Sequence, residues 1–184
     1  MSEAAQTLMT VDEFLASADA REGKWEIEDG VPYAMAPERI EHARVKLEAV
    51  LAFRNAIRRA GLPCEAVVDS VAVRITPRTA YQPDGLVYCG ERLAPEAREV
   101  PNPVIVVEVL SPSTEYHDVY RKVIGYFAVP SVRFYLILDP RDRSLMHFQR
   151  GESGVIELRP MTGGPLRLDP PGLDLTVEDL FGEA

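Results

Sequence analysis

Residues 104–110, VIVVEVL, form a nearly unbroken apolar and largely β-branched run that a single carboxylate, Glu108, interrupts. Such a run predicts a strand covered on both sheet faces, and strand alternation groups Glu108 with Val104, Val106 and Leu110. Ser111, Pro112, Ser113 and Thr114 break the extended pattern and offer hydroxyls to cap a helix starting near Glu115. Its apolar stripe, Tyr116, Val119, Tyr120, Val123, Ile124 and Phe127, recurs at spacings of three and four and predicts the face packed on the sheet. The helix stops near Ala128-Val129-Pro130, and 132–138, VRFYLIL, predicts a second strand closed by Asp139-Pro140. Strand, helix and strand at this spacing make a right-handed parallel crossover. In such units ligands gather at the carboxyl ends of the strands, where Glu108 stands.

The flanks carry weaker patterns. Thr10-Val11-Asp12-Glu13 is a capping box and predicts a helix over 11–17 with Phe14 and Leu15 inward. Segments 24–28 and 31–35 flank Asp29-Gly30 as a hairpin, with Trp25 and Ile27 on one face and Glu26 and Glu28 on the other. A long helix is predicted over 38–60, with Ile40, Ala43, Leu47, Val50, Leu51 and Ile57 as core candidates and Gly61-Leu62-Pro63 as its stop. Strands follow over 65–75 and 84–89, separated by 76–83, and 90–103 is a surface loop. Segments 144–149 and 154–158 pair as a hairpin across Gly151-Glu152-Ser153. Residues 168–173 are loop-like, and 176–181 form a last short helix capped by Thr176. The order is helix, hairpin, long helix, three strands, helix, strand, hairpin, helix: a mixed α/β class without internal repeat or linker, expected as one domain over 1–184.

At 184 residues the chain can bury a sizeable core. No apolar run approaches the ~20 residues that span a bilayer, and MSEAAQTLMT has neither the basic nor the apolar region of a secretory signal. The expectation is a cytoplasmic protein without a membrane partner. Cys64 and Cys89 are the only cysteines and lack metal-ligand spacing, so they are expected as free buried thiols in a reducing compartment. His42, His117 and His147 are scattered and give little support to a histidine zinc site. The net charge of −9 is opposite to that of proteins binding duplex DNA non-specifically. Approach to phosphates would need metal ions or a local basic patch. The best candidate patch is Arg44, Lys46, Arg54, Arg58 and Arg59 on the long helix, for which a solvated helix face is the simpler reading.

An ionised carboxylate buried without a partner costs several kcal/mol or more, so Glu108 calls for a cation, a proton or a metal. A second acid, Asp84, stands in Gln82-Pro83-Asp84-Gly85 at the head of another strand. If the two strands are neighbours the acids converge, and two hard oxygen ligands suit Mg2+ or Mn2+. Two such acids and a lysine are the equipment for phosphodiester hydrolysis. Simpler readings stay open for each residue: Asp84 as a turn aspartate, Asp118 and Lys122 as an i,i+4 ion pair, Glu26 as an exposed strand residue, His42 as a helix-surface residue.

The series TVDEFL, WEIEDG, MAP, His42, QPDGLVY, NPVIVVEVLSPST, Asp118, Lys122, Tyr126 and YLILDP resembles the Uma family of restriction-endonuclease-like proteins, within the PD-(D/E)xK nuclease superfamily. The resemblance spans about 10–149 and extends to PGLDLTVEDLF, and VVEVLSPST after PDGLVY is its most specific part. It implies a core of helix, three strands, helix, strand. It also implies Asp84 and Glu108 as metal ligands, the Val109 carbonyl as a further ligand, and Glu26 as the recurrent glutamate that completes or tunes the site. Leu110 stands where the superfamily's signature lysine would, and Lys122 on the following helix is the substitute, with Asp118 orienting it. The implied activity is a Mg2+-dependent endonuclease acting on DNA, with Mn2+ as an alternative ion and a homodimer as a way to cut both strands. The alternative is a nuclease-fold binding or regulatory protein with little turnover.

Overall fold

In the computed structural model, residues 8–69, 71–111 and 116–182 are described, with backbone alone for 116–118. Helix α1 (Val11–Ala16) starts at the predicted capping box: Thr10 Oγ1 accepts from Glu13 N at 3.2 Å and the Glu13 carboxylate accepts from Thr10 N at 2.7 Å. Its buried residues, Val11 and Phe14, cover Ile27, Ala72 and Ala80. Strands β1 (Trp25–Glu28) and β2 (Val31–Ala34) pair around Asp29 and Gly30, whose φ values of 48° and 85° mark the hairpin turn that this dipeptide favours. Then come α2 (Ile40–Ala60), β3 (Cys64–Val68), β4 (Val73–Thr76), β5 (Thr79–Tyr81), β6 (Gly85–Cys89) and β7 (Pro103–Val109). The chain continues through α3 (Tyr116–Ala128), β8 (Phe134–Asp139), β9 (Ser144–Arg150), β10 (Ile156–Met161), β11 (Pro165–Leu168), β12 (Leu173–Thr176) and a terminal 3-10 turn, Glu178–Leu180.

The main sheet has the order β10-β9-β8-β7-β6-β3, and β7 and β8 are parallel across the α3 crossover while the other pairs are antiparallel. Along this sheet α2, β3, β6, β7, α3 and β8 reproduce the expected helix, three strands, helix, strand. A second sheet, β2-β1-β5-β4, carries Glu26. One apolar cluster joins α2 (Ala49, Phe53, Ile57) to Ile105, Val107, Leu136 and Leu138 and to the β11-β12 hairpin; another joins α3 (Val123, Tyr126, Phe127) to Leu86, Val106, Tyr135 and Ile137. Gly125 permits the close seating of α3, because a Cβ there would stand 2.7 Å from the Tyr81 ring.

Several sequence expectations need correction. The tract 65–75 is two strands in two sheets: at Asp69 the chain takes a φ of 50° and turns away, so β4 and β5 form a hairpin beside β1 where 76–83 reads as loop. Of the six core candidates on α2, Ile40, Ala43 and Leu47 are exposed; the buried stripe is Val45, Ala49, Phe53 and Ala56 with Val50 and Ile57. On α3, Tyr120 and Ile124 are exposed and Tyr126 is buried instead. On both helices the buried side also carries the side chains that reach the site, His42 and Lys46 on α2 and Lys122 and Tyr126 on α3. Residues 168–173 close a real hairpin, β11-β12, because Leu166, Leu168, Leu173 and Leu175 cap α2. Cys64 and Cys89 are not free thiols: the antiparallel register sets them directly opposite and they form a disulfide. Residues 112–115, the expected cap of α3, lie outside the described residues. No described helix is long and apolar enough to cross a membrane.

Candidate active site

Asp84 precedes β6 and Glu108 is the penultimate residue of β7. The pairing Gly85↔Val107 sets them side by side at one end of the sheet, and the Val109 N–H donates to Asp84 Oδ2 at 2.8 Å. The convergence expected from the sequence is therefore present.

Asp84 is buried and its carboxylate is crowded with donors. Lys24 Nζ lies 2.9 Å from Oδ1, and His42 Nε2 lies 3.2 Å from Oδ2. Burial alone would favour the neutral acid. The His42 hydrogen bond, the Lys24 charge and the Val109 N–H outweigh it and hold Asp84 well below the usual carboxylate range.

Glu108 is held differently. Its Oε1 accepts from Lys122 Nζ and from the Tyr126 hydroxyl, each at 2.9 Å, and Oε2 accepts no hydrogen bond among the described residues. Burial raises its pKa against the opposing Lys122 charge, and the Asp84 and Glu26 charges add to the rise more than Lys24 offsets it. Lys122 Nζ also donates to Glu26 Oε1 at 3.0 Å. Glu26, fully buried, accepts further from Gln82 N at 2.9 Å and from the Tyr33 hydroxyl at 2.6 Å. Burial opposes the charge on Lys122, yet Glu108 and Glu26 raise its pKa well above the ordinary value, so it is a fixed cation. Lys122 thus stands against Glu108 and Glu26, 5.5 Å over the Tyr81 ring.

A second arc was missed by the sequence reading. Lys24 bridges Asp84 to Asp69 at 3.1 Å, and the buried Lys46 joins Asp69 at 3.0 Å to Glu38 at 2.5 Å. Lys46 is thereby removed from the candidate basic patch, and its partners hold its pKa up against burial. His42 Nε2 lies 2.9 Å from the Val109 carbonyl, which can only accept, so this nitrogen carries the proton. Its Nδ1 is buried without a hydrogen bond, 3.6 Å from Glu38 Oε2. Burial works against the imidazolium, but Asp84, Glu38 and the Val109 carbonyl raise its pKa overall. His42 and Lys46 stand four residues apart on α2, and Glu38 lies just before that helix, outside its spacing. His147 is elsewhere, stacked on Phe134 at 5.5 Å, and the Asp118 side chain lies outside the described residues.

Lys24, Glu26, Glu38, His42, Asp84, Glu108 and Lys122 border a cavity of about 510 Å3. The model of the family described as "Uma2: Putative restriction endonuclease" matches residues 11–178. The chain belongs to this Uma2 family. Across 94% of its length it is also 26% identical to "Uncharacterized protein slr1290" of Synechocystis sp., covering 91% of that protein. A solved structure described as "a putative nuclease belonging to DUF820 from Anabaena variabilis" superposes with a TM-score of 0.71 at 17% identity, covering 94% of this chain and 97% of that one. That likeness concerns the fold, and the family description gives nuclease chemistry as the framework for the site.

The donor set fits a hard divalent cation. Glu38, His42 and Asp84 each offer a ligand atom within 4.8 Å of one another, a grouping that does not include Glu108; His42 Nδ1 has no hydrogen bond, and Glu108 Oε2 accepts none among the described residues. Among the described residues five carboxylates (Glu26, Glu38, Asp69, Asp84, Glu108) meet three ammonium groups (Lys24, Lys46, Lys122). With every carboxyl ionised and His42 neutral, the cluster lacks two positive charges.

Proposed function

We propose that this Uma2 protein is a Mg2+-dependent endodeoxyribonuclease, with Mn2+ able to replace Mg2+. The observation that carries the reading is the juxtaposition of Asp84 and Glu108, tied through the Val109 N–H and short of positive charge. Asp84 and Glu108 would hold the ion, with Glu38, His42 or the Val109 carbonyl completing its shell; that carbonyl already accepts from His42 and keeps a second lone pair. A bound divalent ion supplies charge against the phosphate and makes water more acidic. The remaining work belongs to the chain. Lys122, a permanent cation, is suited to hold a phosphate oxygen and stabilise developing charge, and unsuited to take a proton from water. Glu26 and Tyr126 fix the lysine and Glu108. Three donors already hold ionised Asp84 in place.

The test is cleavage of circular and linear duplex DNA, single-stranded DNA and RNA with Mg2+, Mn2+ or EDTA. The reading expects metal-dependent cutting of duplex DNA, lost in Asp84→Asn and lowered about 10²- to 10³-fold in Lys122→Met. Cutting that survives EDTA or Asp84→Asn contradicts it.

A second reading has one observation in its favour: Lys24 and Lys122 already stand 2.9 Å from Asp84 and Glu108. On that reading the network is a structural ion cluster in a nuclease-fold binding protein with little turnover. Stable binding of duplex DNA without cutting, in the presence of Mn2+, supports it.

A further inference from the structure

The main sheet ends on one side at β3, whose Cys64 and Ala66 pack against the α2 cluster, and on the other at β10. Strand β10 is exposed through Ile156, Glu157, Leu158, Arg159 and Pro160, with Ile156 at 38% and Leu158 at 51% exposure despite their apolar side chains. The hairpin register fixes which of its backbone groups are spare. Gly151 N donates to Val155 O at 2.9 Å, and the pairs then run Ile156↔Arg150, Glu157↔Gln149, Leu158↔Phe148, Arg159↔His147 and Pro160↔Met146. Antiparallel pairs alternate between hydrogen-bonded and open, so the N–H and C=O of Ile156 and Leu158, and the C=O of Pro160, point away from β9. Pro160 has no N–H and occupies a position where β9 needs none.

We infer that this edge pairs with β10 of a second copy of the chain, antiparallel about a two-fold axis at Leu158. The two Leu158 residues then exchange two backbone bonds, and each Ile156 N–H meets the other copy's Pro160 carbonyl. Glu157 stands opposite Arg159 and Arg159 opposite Glu157. No other antiparallel register of β10 with itself makes this charge match, because only one in which 157 opposes 159 centres on 158. Neither residue has an ion-pair partner among the described residues. On the other face, Ile156 and Leu158 of both copies form one apolar row beside Phe148, whose strand position pairs with Leu158. An exposed apolar edge with self-complementary charges fits a second copy better than an unrelated strand. The pairing does not depend on the nuclease reading.

Sedimentation of the full chain across the micromolar range tests it, with circular dichroism to confirm that each variant folds. The wild type is expected to dimerise. Leu158→Lys, which sets two lysines against each other on the axis, should give a monomer. Glu157→Arg and Arg159→Glu each place like charges opposite and should weaken the dimer by about tenfold. The double variant Glu157→Arg/Arg159→Glu should restore it. A wild-type monomer at every concentration overturns the inference, as does a dimer indifferent to Leu158→Lys. A double variant no tighter than the single ones overturns the register.

Discussion

Asp84 and Glu108 are neighbours on adjacent strands, yet the fold treats their charges in opposite ways. Around Asp84, an ammonium, an imidazole and a backbone N–H converge, and burial is outweighed. Around Glu108, one ammonium is shared with Glu26 and one neutral hydroxyl assists, and burial prevails. The ionisation of a buried acid therefore follows the donors that reach it more than its depth. Glu108 is the member of the pair with most to gain from an added cation, and Asp84 is the pre-set anchor.

The largest expected effect comes from Lys122→Met, which strands Glu108 and Glu26 together without an ammonium. It should cost about 3–5 kcal/mol in urea unfolding, and Mn2+ should recover part of that loss. Lys24→Met should cost less, about 1–3 kcal/mol, because His42 and the Val109 N–H still hold Asp84. Equal losses would break the comparison. Glu108→Gln should stay within about 1 kcal/mol of wild type in the absence of metal, since the amide oxygen still accepts from Lys122 or Tyr126 and a repulsion disappears.

The two acids also separate in pH. Asp84 has a lowered pKa, so its contribution is present above the ordinary value of 3.8 and fades as pH falls through the depressed one. Glu108 has a raised pKa, so its contribution is present below the ordinary value of 4.5 and is lost as pH rises through the elevated one. Melting curves from acid to neutral pH should therefore show Glu108→Gln gaining on wild type as pH rises, while Asp84→Asn loses ground over the acid end. The same slope in both variants would remove the distinction.

Much of this was legible in the chain. VIVVEVL announced a buried strand with a carboxylate that needed explaining, and Asp29-Gly30, the Thr10 capping box and the α3 crossover follow from local chemistry. The stripes of α2 and α3 were misassigned because Ile40, Leu47, Tyr120 and Ile124 carry helical spacing as good as that of the residues actually buried. The buried side is the one that meets the main sheet, and its contacts with Ile105, Val107, Leu86 and Val106 lie far along the chain. Lys24 and Glu38 join the site through contacts with Asp84, Asp69 and Lys46, which spacing does not reveal. The break at Asp69 was likewise hidden inside a continuous β-like pattern, and the disulfide depends on a strand register that cysteine spacing does not encode.

The central claim is that Asp84 and Glu108 form a divalent-cation site. The most direct test is the Tm of wild type and Glu108→Gln with and without Mn2+, which needs no substrate. The account predicts that Mn2+ raises the Tm of wild type and not of Glu108→Gln, and that the metal-free variant melts no lower than wild type by more than a few degrees. A wild type indifferent to Mn2+, with Glu108→Gln melting far below it, would contradict the account and leave Glu108 as a member of a structural ion cluster.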